Sequence, residues 1–256
     1  MNYFSPKTAA ERYAKGRPDF HSNTINHIKD FLHLDAKAEK ALDTACGTGL
    51  STKALLSIAE NVFGTDISQE MLNFAPETDK INYSIAPAEK QPFGDNEFDI
   101  ITVSSGVHWF NIDEFLKEAN RLLKSRSWLI LYENYFISEM EGNEKFFKWF
   151  PDIYLKKFQG TPRNDKYDWS NENLNPKNLE FVAEEKFKNS ISFSKKQLIA
   201  YFTSQSNIIN CVENNKITYE EAVAWLNEEL AGFLEDEKTV HTFYFRNWIK
   251  FIKRID

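Results

Sequence analysis

The stretch Ala41-Leu-Asp-Thr-Ala-Cys-Gly-Thr-Gly-Leu50 constrains this chain most, because a short apolar run there meets an acid and a glycine-rich turn that opens a helix. A second apolar run, Asn61-Val-Phe, leads into Gly64-Thr-Asp66, and Asp66 falls seventeen residues after Gly49. A strand, a tight turn, a helix and a second strand closed by an acid form the βα unit that holds an adenosine at the carboxyl ends of parallel strands. The pattern implies a nucleotide-cofactor enzyme.

The turn also bears on which cofactor. A dinucleotide fingerprint has the order G-x-G-x-x-G, with close backbone approach to a pyrophosphate. Here the order is Asp43-x-Ala45-x-Gly47-x-Gly49, and Leu50, Ser51 and Thr52 stand where a third packing glycine would fall. Asp43 sets a carboxylate beside the turn, which would repel a pyrophosphate and welcome an ammonium or sulfonium group. A cationic ligand is favoured. An NAD-dependent oxidoreductase and a non-catalytic cofactor-binding module are the alternatives.

Taken in order, Asp43 to Gly49, Gly64-Thr-Asp66-Ile-Ser68, Ala88-Glu89 with Pro92-Phe93, Phe98-Asp99 and His108-Trp109-Phe110 resemble the motif series of class I S-adenosylmethionine-dependent methyltransferases. The likeness is to the type 11 branch, with the ubiquinone-biosynthesis and trans-aconitate methyltransferases, and covers roughly residues 8 to 135. It implies an α/β fold: a Rossmann-like, doubly wound, mainly parallel seven-stranded sheet with an antiparallel last strand and helical insertions forming a cap. It also implies S-adenosyl-L-methionine as methyl donor and S-adenosyl-L-homocysteine as product.

At 256 residues the chain can bury one large α/β core. The whole of 1–256 is read as a single methyltransferase domain, with 1–135 the cofactor-binding core and N-terminal lid, and 136–256 the cap insertions and last two strands. A net charge of -7 and a pI near 5.4 argue against a nucleic-acid surface, which needs clustered Lys and Arg. Cys46 and Cys211 lie too far apart in sequence to suggest a disulfide framework or a zinc cluster. With no apolar run long enough to span a bilayer, the expectation is a cytoplasmic protein with a small-molecule substrate and no metal, membrane or nucleic-acid partner.

Local signals order the elements. Ser5 and Pro6 form an N-cap and first-turn pair, and Gly16 with Pro18 stops that helix. A second helix spans about 20 to 34 on Ile25, Ile28 and Leu32. Strands are expected at 40–45, 61–65, 81–85, 98–103 and 128–132, and the helix after the turn buries Leu50, Ala54, Leu55 and Ile58. Ser68 caps a short helix carrying Met71, Leu72 and Ala75; Asn111 with Glu114 caps one carrying Phe115, Ala119, Leu122 and Leu123. This alternation calls for a parallel, doubly wound sheet. From Glu133 the rhythm breaks into an aromatic helix near 144–158, a polar stretch at 160–178 and a sixth strand at 181–187. Two helices capped by Ser194 with Gln197 and by Thr218 with Glu221 follow, then a closing aromatic strand at 242–253. The helices near 139–178 and 195–235 are expected as insertions over the carboxyl ends of the sheet.

Gly47 and Gly49 let backbone approach a ligand at angles that a Cβ penalises. Ala45 stands where the resembled family usually has a glycine, and Cys46 suits a small space-filler better than a reactive thiol. By resemblance Asp43 lies near the cofactor's amino end, directly or through water; the less favoured reading is a strand-end acid that caps the loop. Asp66 can accept from both ribose hydroxyls of an adenosine. Ile67 and Met71 offer apolar surface to the adenine, although Met71 also suits ordinary core packing. The resemblance puts Ala88 and Glu89 at the adenine edge. Pro87 stands where relatives often carry an acid, so the exocyclic amine must find Glu89, a backbone oxygen or water. Ser104, with Ser105, ends the fourth strand beside the methionine moiety.

Three residues are candidates for the chemistry: His108, Tyr13 and Arg17. His108, followed by Trp109, either contacts cofactor or substrate or is a structural histidine whose neighbour packs the next helix. Tyr13, Arg17 and Pro18 resemble the family's N-terminal element that folds over the cofactor. Arg17 could clamp a carboxylate with its planar fork or tie that segment to the sheet. His21, His27 and His33 wind round a helix at six-residue spacing, so they form no metal set and are expected at the surface. The expected reaction is SN2 transfer of the sulfonium methyl to a small acceptor, a carboxylate or other oxygen preferred. Holding nucleophile and methyl in line supplies roughly 10⁵ to 10⁸ M of effective molarity. A carboxylate needs no base, whereas a phenol, amine or activated carbon would draw on His108 or Tyr13.

Overall fold

The computed structural model describes residues 6–161, 163–164, 166–234, 236 and 238–256. The chain begins with α1 (Lys7–Gly16), α2 (His21–Phe31), β1 (Ala38–Thr44), α3 (Leu50–Leu55), β2 (Ala59–Asp66), α4 (Gln69–Leu72), β3 (Ile81–Ile85) and β4 (Phe98–Ser104). It continues with α5 (Ile112–Leu122), β5 (Leu123–Met140), α6 (Phe146–Trp149), α7 (Leu155–Lys157), α8 (Asn171–Leu174), β6 (Leu179–Ser194), α9 (Lys195–Thr203), α10 (Ser206–Glu213), α11 (Tyr219–Leu230) and β7 (Val240–Arg254).

The strands form one seven-stranded sheet in the order β3-β2-β1-β4-β5-β7-β6. β1 pairs in parallel with β2 and β4, β2 with β3, and β4 with β5. β7 returns antiparallel to β5: Arg126 N–H donates to the Asp256 carbonyl at one end, and Glu141 N–H to the Thr242 carbonyl at the other. This is the mainly parallel sheet with a reversed closing strand that the alternation and the resemblance called for.

The chain folds as two compact units. The first comprises 21–134, 163–187 and 247–256. Because side chains alternate across a strand, β1 and β4 feed two cores at once. Ala41, Ile100 and Ile130 pack with Ile25, Ile28 and Leu55, while Leu42, Ile101 and Val103 pack with Phe115, Leu116 and Ala119. Parallel strands buried on both faces leave only their carboxyl ends and the loops beyond them for chemistry.

The second unit comprises 1–20, 135–162 and 188–246, and its core is aromatic, with Phe136, Phe146, Trp149, Tyr154, Phe202 and Phe243 buried together. Gly16 is the last residue of α1, and a Cβ there would lie 2.2 Å from the Ala200 carbonyl oxygen. Its glycine is demanded by close approach to α9 as well as by the helix stop.

Several boundaries differ from expectation, each for a local reason. Ser5 lies outside the described residues. On α3 the buried residues are Ser51, Thr52 and Leu55 rather than Leu50 and Ala54, because Asp43 draws the two hydroxyls inward. Asn111 makes no side-chain cap; instead its N–H donates to Glu89 Oε1 at 2.8 Å. β5 continues past Tyr132 to Met140 with alternating burial. The aromatic helix is split by a π-helical turn, Phe150–Tyr154, which contains Pro151 and so lacks one N–H donor. Three helices follow β6, not two, since α10 lies between the expected pair. Both capping boxes form, Ser194 with Gln197 and Thr218 with Glu221.

Candidate functional site

Beyond β1 the backbone turns left-handed three times, at Ala45 (φ 56°), Gly47 (55°) and Gly49 (73°). A left-handed alanine costs about 1 kcal/mol or slightly more. Room for its methyl is left by Gly106, where a Cβ would lie 3.0 Å from Ala45 Cβ. The glycines serve different ends. A Cβ on Gly47 would meet Met71 Cε at 3.0 Å and nothing else within 4 Å, so this position is an open cradle. A Cβ on Gly49 would strike the Tyr83 hydroxyl at 2.5 Å and Pro76 Cδ at 3.0 Å, so packing is what requires glycine there. Gly64 likewise makes space for the Tyr83 ring, 2.7 Å from where its Cβ would stand.

Asp43 is fully buried. Its Oδ2 accepts from Ser51 Oγ at 2.6 Å and Thr52 Oγ1 at 2.7 Å, and its Oδ1 from Thr102 Oγ1 at 3.0 Å. Thr102, Asp43, Gly64 and Tyr83 are register partners across β4, β1, β2 and β3, which puts the polar row on one face. Burial pushes the carboxyl up to about 6, the charge of Asp66 adds to that, and the three hydroxyl bonds oppose it. This is the geometry of a loop-capping acid. Cys46 beside it is buried, its N–H donates to the Thr65 carbonyl at 2.9 Å, and burial drives its thiol well above the ordinary range. It is a space-filler.

Asp66 is held differently. Oδ2 accepts from Gly47 N–H at 2.8 Å and Oδ1 from Ser68 N–H at 2.8 Å, leaving a second lone pair on each oxygen. Burial raises its pKa, opposed by the bonds from Ser68 and Gly47 and, least, by the nearby Ile67 N–H. Ile67, next in sequence, is 62% exposed despite being apolar, whereas Met71 is 4% exposed and packs as core. Ser68 caps α4, its hydroxyl accepting from Met71 N–H at 3.3 Å.

At the end of β4, Ser104 is half-buried and Ser105 adopts φ 54°, its N–H donating to the Tyr132 carbonyl at 2.9 Å. His108 follows on a single 3₁₀ turn, Val107–Trp109, and is 9% exposed. Burial and then the charge of Arg163 lower its pKa to about 4, so the ring is neutral at physiological pH. Asn164 N–H reaches the His108 carbonyl at 3.4 Å, and Arg163 Nη1 donates to Glu133 Oε1 at 2.8 Å. Ala88 is buried, while Glu89 is engaged by Asn111 as described above. On α2, His21 Nδ1 lies 3.0 Å from the Tyr132 hydroxyl and His27 stacks on Phe187, so neither is a free surface group. Among the described residues no cluster of three His, Cys, Asp or Glu side chains could hold a metal ion.

Tyr13 and Arg17 belong to the second unit. There the Arg17 guanidinium lies over the rings of Tyr13 at 4.7 Å and Tyr201 at 5.3 Å, and Nη2 donates to the Ser204 carbonyl at 3.4 Å. Its Nε is buried without a partner, and among the described residues no carboxylate pairs with it. Within this unit Arg17 therefore ties α1 to α9.

The first unit thus brings Asp43, the Ala45 to Gly49 turn, Asp66, Ile67, Met71, Ser104 and His108 to the carboxyl ends of three neighbouring strands. Sequence reasoning missed Ser51, Thr52, Thr102 and Tyr83, which build the turn from below, and Arg163 beside His108. A glycine inside the second strand was the available signal for Tyr83, since such a glycine marks a close approach. The open side of Gly47, the spare lone pairs of Asp66 and the exposed Ile67 fit an adenosyl group carrying an amino-acid tail.

Residues 42–131 match a methyltransferase domain family. A Dictyostelium discoideum protein assigned as a methyltransferase is 32% identical over 123 residues, 48% of this chain and 46% of that protein. The demethylmenaquinone methyltransferase of Staphylococcus carnosus is 33% identical over 149 residues, 52% of this chain and 59% of the relative. The chain spans about half the length of the curated relatives it matches. A solved structure from Anaeromyxobacter dehalogenans, assigned as a type II methyltransferase, aligns with a TM-score of 0.73 over 93% of this chain and 98% of its own at 16% identity, which shows the shared fold. No described helix is long and apolar enough to cross a membrane. Residues 42–131 thus carry a methyltransferase domain of the type 11 branch of the class I S-adenosylmethionine-dependent methyltransferases.

Proposed function

We propose that this protein transfers the methyl group of S-adenosylmethionine to a small-molecule acceptor, a carboxylate or other oxygen nucleophile preferred, and that the chain works as a single methyltransferase domain in the cytoplasm. Asp66 carries this proposal: two backbone bonds aim its carboxylate, and one lone pair per oxygen remains for a ribose hydroxyl. Ile67 then offers its exposed side chain to the adenine, and Gly47 admits the amino-acid tail against bare backbone. Asp43 acts through the turn it braces. Glu89, Ala88 and Ser104 line the adenine and methionine sides.

When bound, the cofactor supplies a sulfonium-activated methyl group. The chain's own task is placement, because a histidine titrating near 4 is a weak base at neutral pH. His108 then shapes the acceptor side of the carboxyl edge of β4 and keeps water from it. The relatives favour a second possibility, C-methylation in quinone biosynthesis, as in the name of the ubiquinone/menaquinone biosynthesis C-methyltransferase of Geotalea uraniireducens, 31% identical over 109 residues. A carbon acceptor needs a base, which His108 is poorly suited to provide.

Calorimetry with S-adenosylhomocysteine and with NAD tests the cofactor. Binding of the first and silence with the second supports the proposal; binding of NAD, or silence with both, overturns it. Transfer of labelled methyl to an extract of small metabolites then separates an enzyme from a non-catalytic module.

A further inference from the structure

We infer that Arg163 receives an anionic group, of the carboxylate class, on the methyl acceptor, with Glu133 as the counter-ion it rests on between turnovers. This deepens the proposed function and rests on it. Glu133 directly follows Tyr132, the register partner of Ser104, so it stands within β5 level with the carboxyl end of β4. The segment carrying Arg163 is laid against the loop after β4 by the bond from Asn164 N–H to the His108 carbonyl. Arg163, Glu133 and His108 therefore meet at the edge where open parallel sheets bind their ligands.

The pair is unequal. Glu133 is the more buried partner, with 18% of its side chain exposed against 40% for Arg163, so the cation is the member offered to solvent. The contact is a single bond from Nη1 to Oε1 at 2.8 Å, and no other hydrogen bond from this guanidinium is formed among the described residues. Among the described residues, four of its five N–H donors take no acceptor, in a fork whose geometry matches a carboxylate. A part-exposed, single-bonded ion pair contributes little to stability, so an arriving carboxylate can displace or share it at small cost. His108 is neutral there and adds no second cation. The arrangement selects for an anion through Arg163 alone. An anion seated on Arg163 also cancels the positive charge that depresses His108, so the imidazole reports on occupancy.

The experiment uses the full chain saturated with S-adenosylhomocysteine, with acetate, succinate and benzoate set against their neutral amides as probes. Imidazole resonances are followed by NMR, His108 being identified by its loss in His108→Asn. A carboxylate should move the His108 resonance and bind about tenfold or more tightly than its amide. Arg163→Gln, a change at an exposed position, should reduce that preference below about twofold while leaving affinity for S-adenosylhomocysteine unchanged, and Arg163→Lys should restore part of it. Glu133→Gln should strengthen carboxylate binding several-fold by removing the competing acceptor. The inference is overturned if no carboxylate moves the wild-type resonance, or if the preference survives Arg163→Gln. It is also overturned if that variant loses S-adenosylhomocysteine instead, because Arg163 would then serve the cofactor's own carboxylate. Failure of S-adenosylhomocysteine to bind the wild-type chain in the first calorimetric step marks failure of the cofactor assignment itself, and the inference falls with it.

Discussion

Asp43 and Asp66 stand at the carboxyl ends of adjacent parallel strands, and their surroundings differ in kind. Three side-chain hydroxyls close over Asp43, leaving it fully buried and titrating near 6. Two backbone N–H groups hold Asp66, one on each oxygen, and an exposed isoleucine is next in sequence. Hydroxyl donors come from side chains and can fill the space around a carboxylate, whereas backbone donors orient it and leave lone pairs free. One acid is thereby built into the turn, and the other is presented beyond it.

The largest effect should separate these two acids. Asp66→Ala removes a charged acceptor from two ribose hydroxyls, each bond worth about 1.5–3 kcal/mol, so S-adenosylhomocysteine affinity should fall by about 10² to 10⁴-fold. The same change leaves the Gly47 and Ser68 N–H groups without their acceptor, so the fold should lose about 1–3 kcal/mol and still unfold in a single transition. Asp43→Asn keeps the shape of the closed cluster and should alter that affinity by less than about threefold. Equal losses in the two variants, measured by calorimetry, would break the comparison.

The pH dependence of stability comes next. Asp43 rises from an ordinary 3.8 to about 6 on folding, so the folded state favours its protonated form. Its stabilising contribution is fully present below the unfolded value and is lost as pH rises through about 6. Two units correspond to about 3 kcal/mol. Asp43→Asn cannot ionise, so relative to wild type it should gain up to about 3 kcal/mol between about pH 4 and pH 7 in urea unfolding. A wild-type and variant difference that stays constant over that window would mean the carboxylate is not sealed from water.

These contrasts mark how far the sequence could be read. β4 only extends to Ser104, because a continuous apolar run between turn residues has one stable use in an α/β chain, and β3 falls at 81–85 as expected on the spacing of Ile81, Tyr83 and Ile85. The motif acids were visible because they follow the apolar runs of β1 and β2. The inward turn of Ser51 and Thr52 was hidden, because hydrophobic periodicity favours Leu50 and Ala54 and takes no account of a buried carboxylate that needs donors. β5 beyond Tyr132 and β6 at 179–194 were underestimated, as their alternate residues are half-exposed and polar. Arg163 had no local pattern at all. It gains meaning only from Glu133 and His108, which the fold brings to it from distant parts of the chain.

A smaller effect is expected at His108, which neither closes over an acid nor presents one. With a pKa near 4 it gives little driving force for proton transfer at neutral pH. Once an acceptor is found, His108→Asn should lower kcat by less than about tenfold, well short of the 10² to 10⁴ that follows loss of a general base. A larger fall with cofactor affinity intact, accompanied by loss of a pH–rate limb, would make His108 the base and favour a carbon or phenol acceptor.

The smallest effect probes how closed the β1 turn is above Asp43. Ala45 sits at φ 56°, and its Cβ lies 3.0 Å from where a Cβ on Gly106 would stand. Ala45→Gly relieves about 1 kcal/mol or more of left-handed strain but frees a more mobile unfolded chain, so the net gain should be under about 1 kcal/mol. Gly106→Ala has no backbone penalty at φ -114°, yet its methyl would press on Ala45 Cβ and, at 3.3 Å, on Val103 Cγ1. Alone it should cost about 1–2 kcal/mol by overpacking. In the double variant the Ala45 methyl is absent and the contact with Val103 remains, so part of that cost should disappear. The two changes should therefore couple by about 0.5–1 kcal/mol in a double-mutant cycle of unfolding free energies. Strict additivity would mean that the turn relaxes away from β4 and that Asp43 is held by its hydroxyls alone, without the packing above it.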